Sequence, residues 1–137
     1  MAKRIESEHT LIERGAGDIY DFLKDFTNFS RLIPEQVKNW EATPDHCSFE
    51  IQGMASLGMR ITERIPHEKI IMTSEGKLPF SFTLTSHLEK VSEQSTMVRL
   101  VIDSDLNTFM AMMVEKPLSN FINLLVFQLK KVMESGS

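Results

Sequence analysis

The sequence predicts an α+β protein in which a curved antiparallel sheet wraps around one long C-terminal helix. From residue 37 to residue 106, apolar and polar residues alternate between regularly spaced turn residues, which is typical of antiparallel strands. From residue 117 to residue 134, apolar residues recur every three or four positions, the pattern of an amphipathic helix. A sheet with one covered face needs a partner layer, and this helix can supply it.

The N-terminal residues predict one strand followed by two short helices. Residues 4–12 form a polar-rich strand candidate, after which Gly17 interrupts the pattern. Asp18 can cap a helix with a single apolar stripe. The stripe consists of Ile19, Phe22, Leu23 and Phe26. A second helical turn over residues 29–33 ends before Pro34, because proline disfavours helical geometry in the residue that precedes it.

Six strands follow in hairpin succession, separated by five turns. The turns are placed at residues 44–45, 53–58, 66–68, 76–79 and 92–94. Within the strands the alternation is clear, with Phe82 and Leu84 on one face and Ser81 and Thr83 on the other. One face of the sheet is therefore expected to be covered and the other to meet water.

The last helix is predicted over residues 117–134, because Pro117 suits a first helical turn, where its missing N–H costs nothing. A helix of this length spans about 27 Å, enough to cross a sheet. Just before it, residues 109–114 are apolar throughout and contain Met110, Met112 and Met113. Because thioethers adapt to varied apolar shapes, these methionines suit either a packed core or the wall of a binding space.

Length and composition exclude several classes of protein. The chain has 137 residues, which predicts one domain over 1–137. With 15 Lys plus Arg against 19 Asp plus Glu, the net charge of −4 argues against nucleic-acid binding. The longest apolar run is too short to cross a membrane, and the amino terminus becomes charged at once, so a cytoplasmic location is expected. A single cysteine allows no intramolecular disulfide.

The order of elements resembles the birch-pollen-allergen-like superfamily, which includes START lipid-transfer domains and polyketide cyclases. The similarity covers nearly the whole chain and is most specific in three segments, which are residues 17–23, 29–34 and 116–121. It implies a helix-grip fold, in which a seven-stranded antiparallel sheet grips the C-terminal helix around an apolar cavity. It implies no particular reaction, because members range from lipid carriers to cyclases.

Metal and cysteine chemistry find little support in the residue pattern. The four histidines are scattered over different strands and turns, with no pair at ligand spacing, so neither a metal nor another cofactor is predicted. His46 and Cys47 are adjacent in a predicted strand, so their side chains point to opposite faces and cannot form a catalytic pair. A buried and inert Cys47 thiol is expected.

Two polar residues fall on the apolar face of the predicted sheet. Alternation places Glu63 with Met59 and Ile61, where a carboxylate would have a raised pKa and could move protons. The competing interpretation is that Glu63 lies near a strand end and meets water. Ser86 shares a face with Leu84, as either a packing residue or an anchor for the polar head group of a ligand.

These observations favour a protein that binds a small hydrophobic molecule, such as a lipid, a quinone-like compound or a polyketide. The expected wall residues are Phe49, Ile51, Met59, Ile61, Phe82, Leu84, Leu100, Met113, Phe121 and Leu125. One alternative is a cyclase- or dehydratase-type enzyme that uses Glu63. Another is a module with a filled core that binds a protein partner through Phe127, which points away from the core stripe, with Leu124 on the flank of that stripe. A homodimer is a further possibility that the exposed Phe127 suggests.

Overall fold

The computed structural model describes residues 3–33, 37–51, 56–75, 81–105 and 107–135, except for the side chains of Lys3 and Ile51. The strands are β1 (Lys3–Glu6), β2 (Thr10–Ile12), β3 (Val37–Ala42), β4 (His46–Ile51), β5 (Ser56–Ile65), β6 (Lys69–Ser74), β7 (Phe82–Ser92) and β8 (Ser95–Ser104). The helices are α1 (Ala16–Leu23), a 3₁₀ helix (Phe26–Arg31) and α2 (Thr108–Glu134).

All strand pairs are antiparallel and belong to one sheet of order β1-β8-β7-β6-β5-β4-β3. The predicted succession of six strands is confirmed as β3 to β8, each paired antiparallel with the next, while the turns predicted at 53–58 and 76–79 fall wholly or partly outside the described residues. Bulges in β3, β5 and β7 each interrupt the pairing register, which increases twist and bends the sheet. Asn39 adopts a φ of 53° at the bulge in β3, a conformation that asparagine tolerates better than most residues.

The predicted first strand is two strands, so the sheet has eight strands and not seven. The break falls at Ser7, whose backbone N–H donates to the Leu100 carbonyl while its hydroxyl accepts from the Leu100 N–H, both at 2.8 Å. The next N–H, that of Glu8, donates to the Asn123 side chain at 2.9 Å instead of to a strand. Strand β2 then pairs with the other end of β8.

Helix α2 begins at residue 108 and not at the predicted Pro117. The Asn107 side chain accepts from the Met110 N–H at 2.8 Å and caps the helix nine residues earlier than expected. Pro117 therefore lies in the helix interior, where it cannot donate to the Met113 carbonyl. The 27 residues of α2 span about 40 Å. No helix in the described part of the chain has the length and apolar content needed to cross a membrane.

Polar contacts fix the C-terminal half of α2 along β1 and β2. Lys130 donates to the Leu11 carbonyl at 2.7 Å, and the Glu134 carboxylate accepts from the Glu13 N–H at 2.9 Å. In the other direction, the Arg14 guanidinium donates to the Met133 carbonyl at 2.9 Å. The first two bonds satisfy backbone groups at the end of β2 that would otherwise be open to another chain, and the third satisfies a carbonyl in the last turn of α2. The helix is consequently held over the covered face of the sheet, as the sequence predicts.

Candidate functional site

The inner face of the sheet and the inner stripe of α2 meet in one apolar interior. Eight of the expected wall residues are buried there: Phe49, Met59, Ile61, Phe82, Leu84, Leu100, Phe121 and Leu125. They are brought together because period-two alternation on four strands and the helical stripe both point to the same side. Whether they contact a ligand stays a prediction.

Of the two remaining expected wall residues, one is exposed and the other has a side chain that the structure does not describe. Met113 is 63% exposed, so its assignment to the wall is wrong in this structure. The cause is the early start of α2: in a helix, residue 113 points away from the sheet, whereas Val114 packs toward the core. Ile51 ends β4, and its side chain lies outside the described part of the structure.

A cavity of about 10 Å³ lies between the sheet and α2. It is lined by Leu23, Phe29, Leu32, Leu84, Ser86, Leu100, Leu125 and Leu129. Among the residues that the structure describes, Ser86 is the one polar residue that lines the cavity; it is 1% exposed, and its hydroxyl oxygen has no hydrogen-bond partner within those ranges. A buried hydroxyl left unpaired costs about 1–3 kcal/mol, so this atom is energetically suited to receive a partner.

Sequence reasoning missed the cavity walls contributed by the short helices. Leu23 ends α1, Phe29 lies in the 3₁₀ helix that follows, and Leu32 is the C-cap residue of that helix. The i, i+3 spacing of Phe29 and Leu32 was the available signal, but the sequence does not say how this turn closes over the sheet. Arg64 on β5 helps to position the 3₁₀ helix, because its guanidinium donates to the carbonyl of Lys24, which connects α1 to that helix.

A row of five aromatic rings runs from the 3₁₀ helix across the sheet edge to α2. The rings are those of Phe26, Phe29, Trp40, Phe49 and Phe121. Successive centroids lie 5.2, 6.3, 5.5 and 5.6 Å apart, within the range of favourable aromatic pairs. The row links four elements, which are the 3₁₀ helix, β3, β4 and α2, and forms one end of the apolar interior.

Glu63 is exposed, so its placement on the inner face is wrong, and the competing interpretation that it meets water is confirmed. The reason is the bulge in β5, where Ile61 pairs with Met72 but Glu63 pairs with Ile71. The extra residue reverses the alternation and turns Glu63 outward. The next residue, Arg64, reaches back toward α1 as described above.

Cys47 is buried, and burial raises the pKa of its thiol to about 12, so the thiol stays protonated and non-nucleophilic at neutral pH. His46 points to the outer face, where it lies 3.0 Å from the Glu75 carboxylate. Among the residues that the structure describes, no three His, Cys, Asp or Glu side chains stand close enough to hold a metal ion.

Neither the sequence model of a known family nor the sequence of a curated protein matches this chain. Solved structures do match, and they share the helix-grip fold. A START superfamily protein from Mycobacterium smegmatis superposes with a TM-score of 0.75 at 13% identity, over 98% of this chain and 99% of the other.

Norcoclaurine synthase from Thalictrum flavum, solved with dopamine and hydroxybenzaldehyde, gives a TM-score of 0.79 at 11% identity, over 100% of this chain and 89% of the other. A protein from Chromobacterium violaceum gives 0.71 at 15% identity, over 97% of each chain. The resemblance predicted from element order is therefore confirmed at the level of fold. The chain has the START-like helix-grip fold.

Proposed function

We propose that this protein binds a small hydrophobic molecule that carries one hydrogen-bonding group at its buried end. The observation that carries the proposal is the unpaired hydroxyl of Ser86 in a cavity whose other walls are apolar. Burial of a ligand against apolar walls stabilises the complex by about 25 cal/mol for each Å² of apolar surface removed from water. A ligand hydroxyl or carbonyl that met the Ser86 oxygen would remove the cost of leaving it unpaired.

A cavity of about 10 Å³ holds one water molecule, so a larger ligand must widen the space between α2 and the sheet. Two properties of α2 favour movement of its first ten residues. Pro117 removes one helical hydrogen bond at their C-terminal end, and Phe109 and Met112 are exposed and not packed on the sheet. Met59 on β5 and Met72 on β6 are buried in the same core and can change rotamer as the space widens.

The related folds are consistent with this proposal without naming the ligand. Norcoclaurine synthase holds two small aromatic molecules, which supports this fold as a container for compounds of that size. A lipid, a quinone-like compound and a polyketide all combine an apolar body with a polar group. An enzyme remains the alternative, but Glu63 cannot serve it as a buried acid or base, because Glu63 is exposed. We retain the cytoplasm as the proposed location.

The first test is native mass spectrometry of freshly purified protein, compared with the denatured mass of 15.7 kDa. An extra mass lost on denaturation supports the proposal and identifies the class of compound. The second test compares thermal stabilisation by benzyl alcohol and by toluene, which differ by one hydroxyl group. We expect both to stabilise the wild type, benzyl alcohol more, and Ser86→Ala to lose only that preference.

Two outcomes separate the parts of the proposal. If native mass spectrometry shows only the mass of the chain, and neither benzyl alcohol nor toluene raises the melting temperature, hydrophobic ligand binding is contradicted. If the wild type and Ser86→Ala prefer benzyl alcohol over toluene to the same extent, the role of Ser86 is contradicted, but hydrophobic ligand binding is not. Leu11→Ser is the control, because Leu11 is an exposed apolar residue that does not line the cavity, and its substitution should leave both measurements unchanged.

A further inference from the structure

We infer that the ligand of the cavity beside Ser86 is electrically neutral, so that the protein binds alcohols, ketones and esters but not carboxylates or ammonium compounds of similar size. This inference rests on the proposed function and narrows the ligand to a chemical class. The observation that carries it is the composition of the cavity wall. Of the eight described residues that line the cavity, six are leucines, and the other two are Phe29 and Ser86.

The polar side chains buried in the described part of the chain, apart from the Cys47 thiol, are all hydroxyl groups of serine or threonine. Among them, Ser86 is the one that lines the cavity. A hydroxyl group can donate one hydrogen bond and accept two, but it carries no charge. Burial of a charged group in apolar surroundings is costly unless an opposite charge is buried with it. The described walls therefore suit a neutral polar group and disfavour a charged one.

Basic residues adjoin the cavity wall along the strands, but they lie on the outer face of the sheet. Arg99 precedes the wall residue Leu100 on β8, and its guanidinium donates to the Glu6 carboxylate at 3.0 Å. His87 follows Ser86 on β7 and is paired with Arg99 across the two strands. Burial and the nearby positive charges lower the pKa of His87, so its ring is uncharged at neutral pH. Because neighbouring residues of a strand point to opposite faces, neither side chain is directed into the cavity.

The basic residues next to the wall on the helical segments are also directed outward. Lys24 donates to the Asp21 carboxylate at 3.0 Å, and Lys130 donates to the Glu134 carboxylate at 2.7 Å. Arg31 is exposed to solvent. No acidic residue is adjacent in sequence to any of the eight wall residues. A carboxylate or an ammonium group in the cavity would therefore be buried among these walls without an opposite charge.

The position of Ser86 also distinguishes between two ways of binding an amphipathic molecule. A charged ligand that kept its charged group in water would contact only the apolar walls and leave the Ser86 hydroxyl unpaired. An unpaired buried hydroxyl is unfavourable, whereas a neutral hydroxyl or carbonyl group of a ligand can be buried beside it. The unpaired Ser86 hydroxyl thus favours a ligand whose polar group is both buried and neutral.

The first test compares benzyl alcohol, benzoate and benzylammonium at pH 7.5 by isothermal titration calorimetry of the full chain. The three compounds share one aromatic ring and differ in the charge of the polar group. We expect each charged compound to bind at least tenfold more weakly than benzyl alcohol. Leu11→Ser is the control and should keep this order of affinities, because Leu11 does not line the cavity.

The second test uses 4-nitrophenol, whose hydroxyl group ionises near neutral pH. We expect its dissociation constant to rise about tenfold for each pH unit above the pKa of the free compound, because only the neutral phenol is bound. The yellow absorbance of the phenolate should fall when protein is added, since each bound molecule takes up a proton. Ser86→Ala should weaken binding of the neutral phenol but keep the pH dependence, because the apolar walls disfavour the charge.

The results separate this inference from the proposed function on which it rests. If benzoate or benzylammonium binds as tightly as benzyl alcohol, or if 4-nitrophenol binds equally well at every pH, the inference is wrong but hydrophobic ligand binding stands. If neither benzyl alcohol nor toluene binds, the proposed function fails and the inference fails with it. Circular dichroism at each pH confirms that the chain is folded under the conditions of the titration.

Discussion

The rings of Phe49 and Phe121 stack with their centroids 5.6 Å apart and their planes 25° from parallel. This contact joins β4 to α2 and ends the aromatic row that starts at Phe26 on the 3₁₀ helix. Because Phe49 belongs to the sheet and Phe121 to α2, the distance between their rings measures how closely the helix packs against the sheet.

Removal of one ring of this pair should destabilise the folded protein and enlarge its apolar interior. Phe121→Ala is expected to lower the free energy of unfolding by about 3–5 kcal/mol, because it removes a buried ring and leaves a cavity. Chemical denaturation measures the loss, and 1-anilinonaphthalene-8-sulfonate fluorescence should rise as the dye enters the larger space. Phe127→Ala, on the exposed side of the same helix, should change stability by less than about 0.5 kcal/mol under monomeric conditions. Unchanged dye binding in folded Phe121→Ala would contradict a wall role for Phe121.

Removal of the Ser86 hydroxyl should stabilise the ligand-free protein. Ser86→Ala is expected to raise the free energy of unfolding by about 1 kcal/mol, because a buried and unpaired polar atom disappears. Thr96→Val is the matched contrast on the neighbouring strand. The Thr96 hydroxyl is fully buried and donates to the Arg14 carbonyl at 2.8 Å, so its loss should cost about 1–2 kcal/mol. A destabilised Ser86→Ala would mean that the hydroxyl already has a partner in solution.

Adjacent residues at the β5 bulge should respond very differently to substitution. Arg64→Ala is expected to cost about 1 kcal/mol, because the guanidinium bonds the Lys24 carbonyl at 3.0 Å and the Asp45 carboxylate at 2.6 Å. Glu63→Gln should leave stability and ligand binding unchanged, because Glu63 faces water. Denaturation and dye titration measure both variants. A strong effect of Glu63→Gln on ligand binding would reinstate the proton-transfer alternative.

His87 on the outer face of the sheet should make stability depend on pH. Burial, and then the positive charges of Arg99, Lys69 and Arg4, lower the pKa of His87, while Glu6 opposes them. The unfolded chain therefore takes up a proton at a higher pH than the folded protein does. Stability from this residue is complete above the unfolded pKa near 6.5 and falls as the pH drops toward the lower folded value.

We expect His87→Gln to lose less stability than the wild type between pH 7.5 and pH 5.5, measured by urea denaturation at each pH. Asp25 and Glu134 also have lowered pKa values, caused mainly by hydrogen bonds from Thr27 and Lys130. Their contribution is lost only in more acidic solution, below the ordinary carboxyl range, so it does not overlap this window. Equal losses in the two proteins would contradict the assignment to His87.

Much of the fold follows from the sequence by itself. Alternation over residues 37–104 determines the six hairpin-linked strands, because the side-chain period of a strand is two. The same rule places Phe82, Leu84 and Leu100 on the covered face, and the 3.6-residue period does the same for Phe121 and Leu125 on α2. Local chemistry thus determines both layers and most of the residues between them.

Tertiary structure decides what periodicity cannot express. One extra residue at the β5 bulge turns Glu63 to solvent, and nothing in the local sequence marks that bulge. The Asn107 cap extends α2 past Pro117 and leaves Met113 exposed. The space around Ser86 is likewise a property of packing, since it depends on how closely α2 and the 3₁₀ helix approach the sheet. Periodicity assigns a residue to a face, whereas only contacts between distant segments determine whether that face is filled, open or covered by another chain.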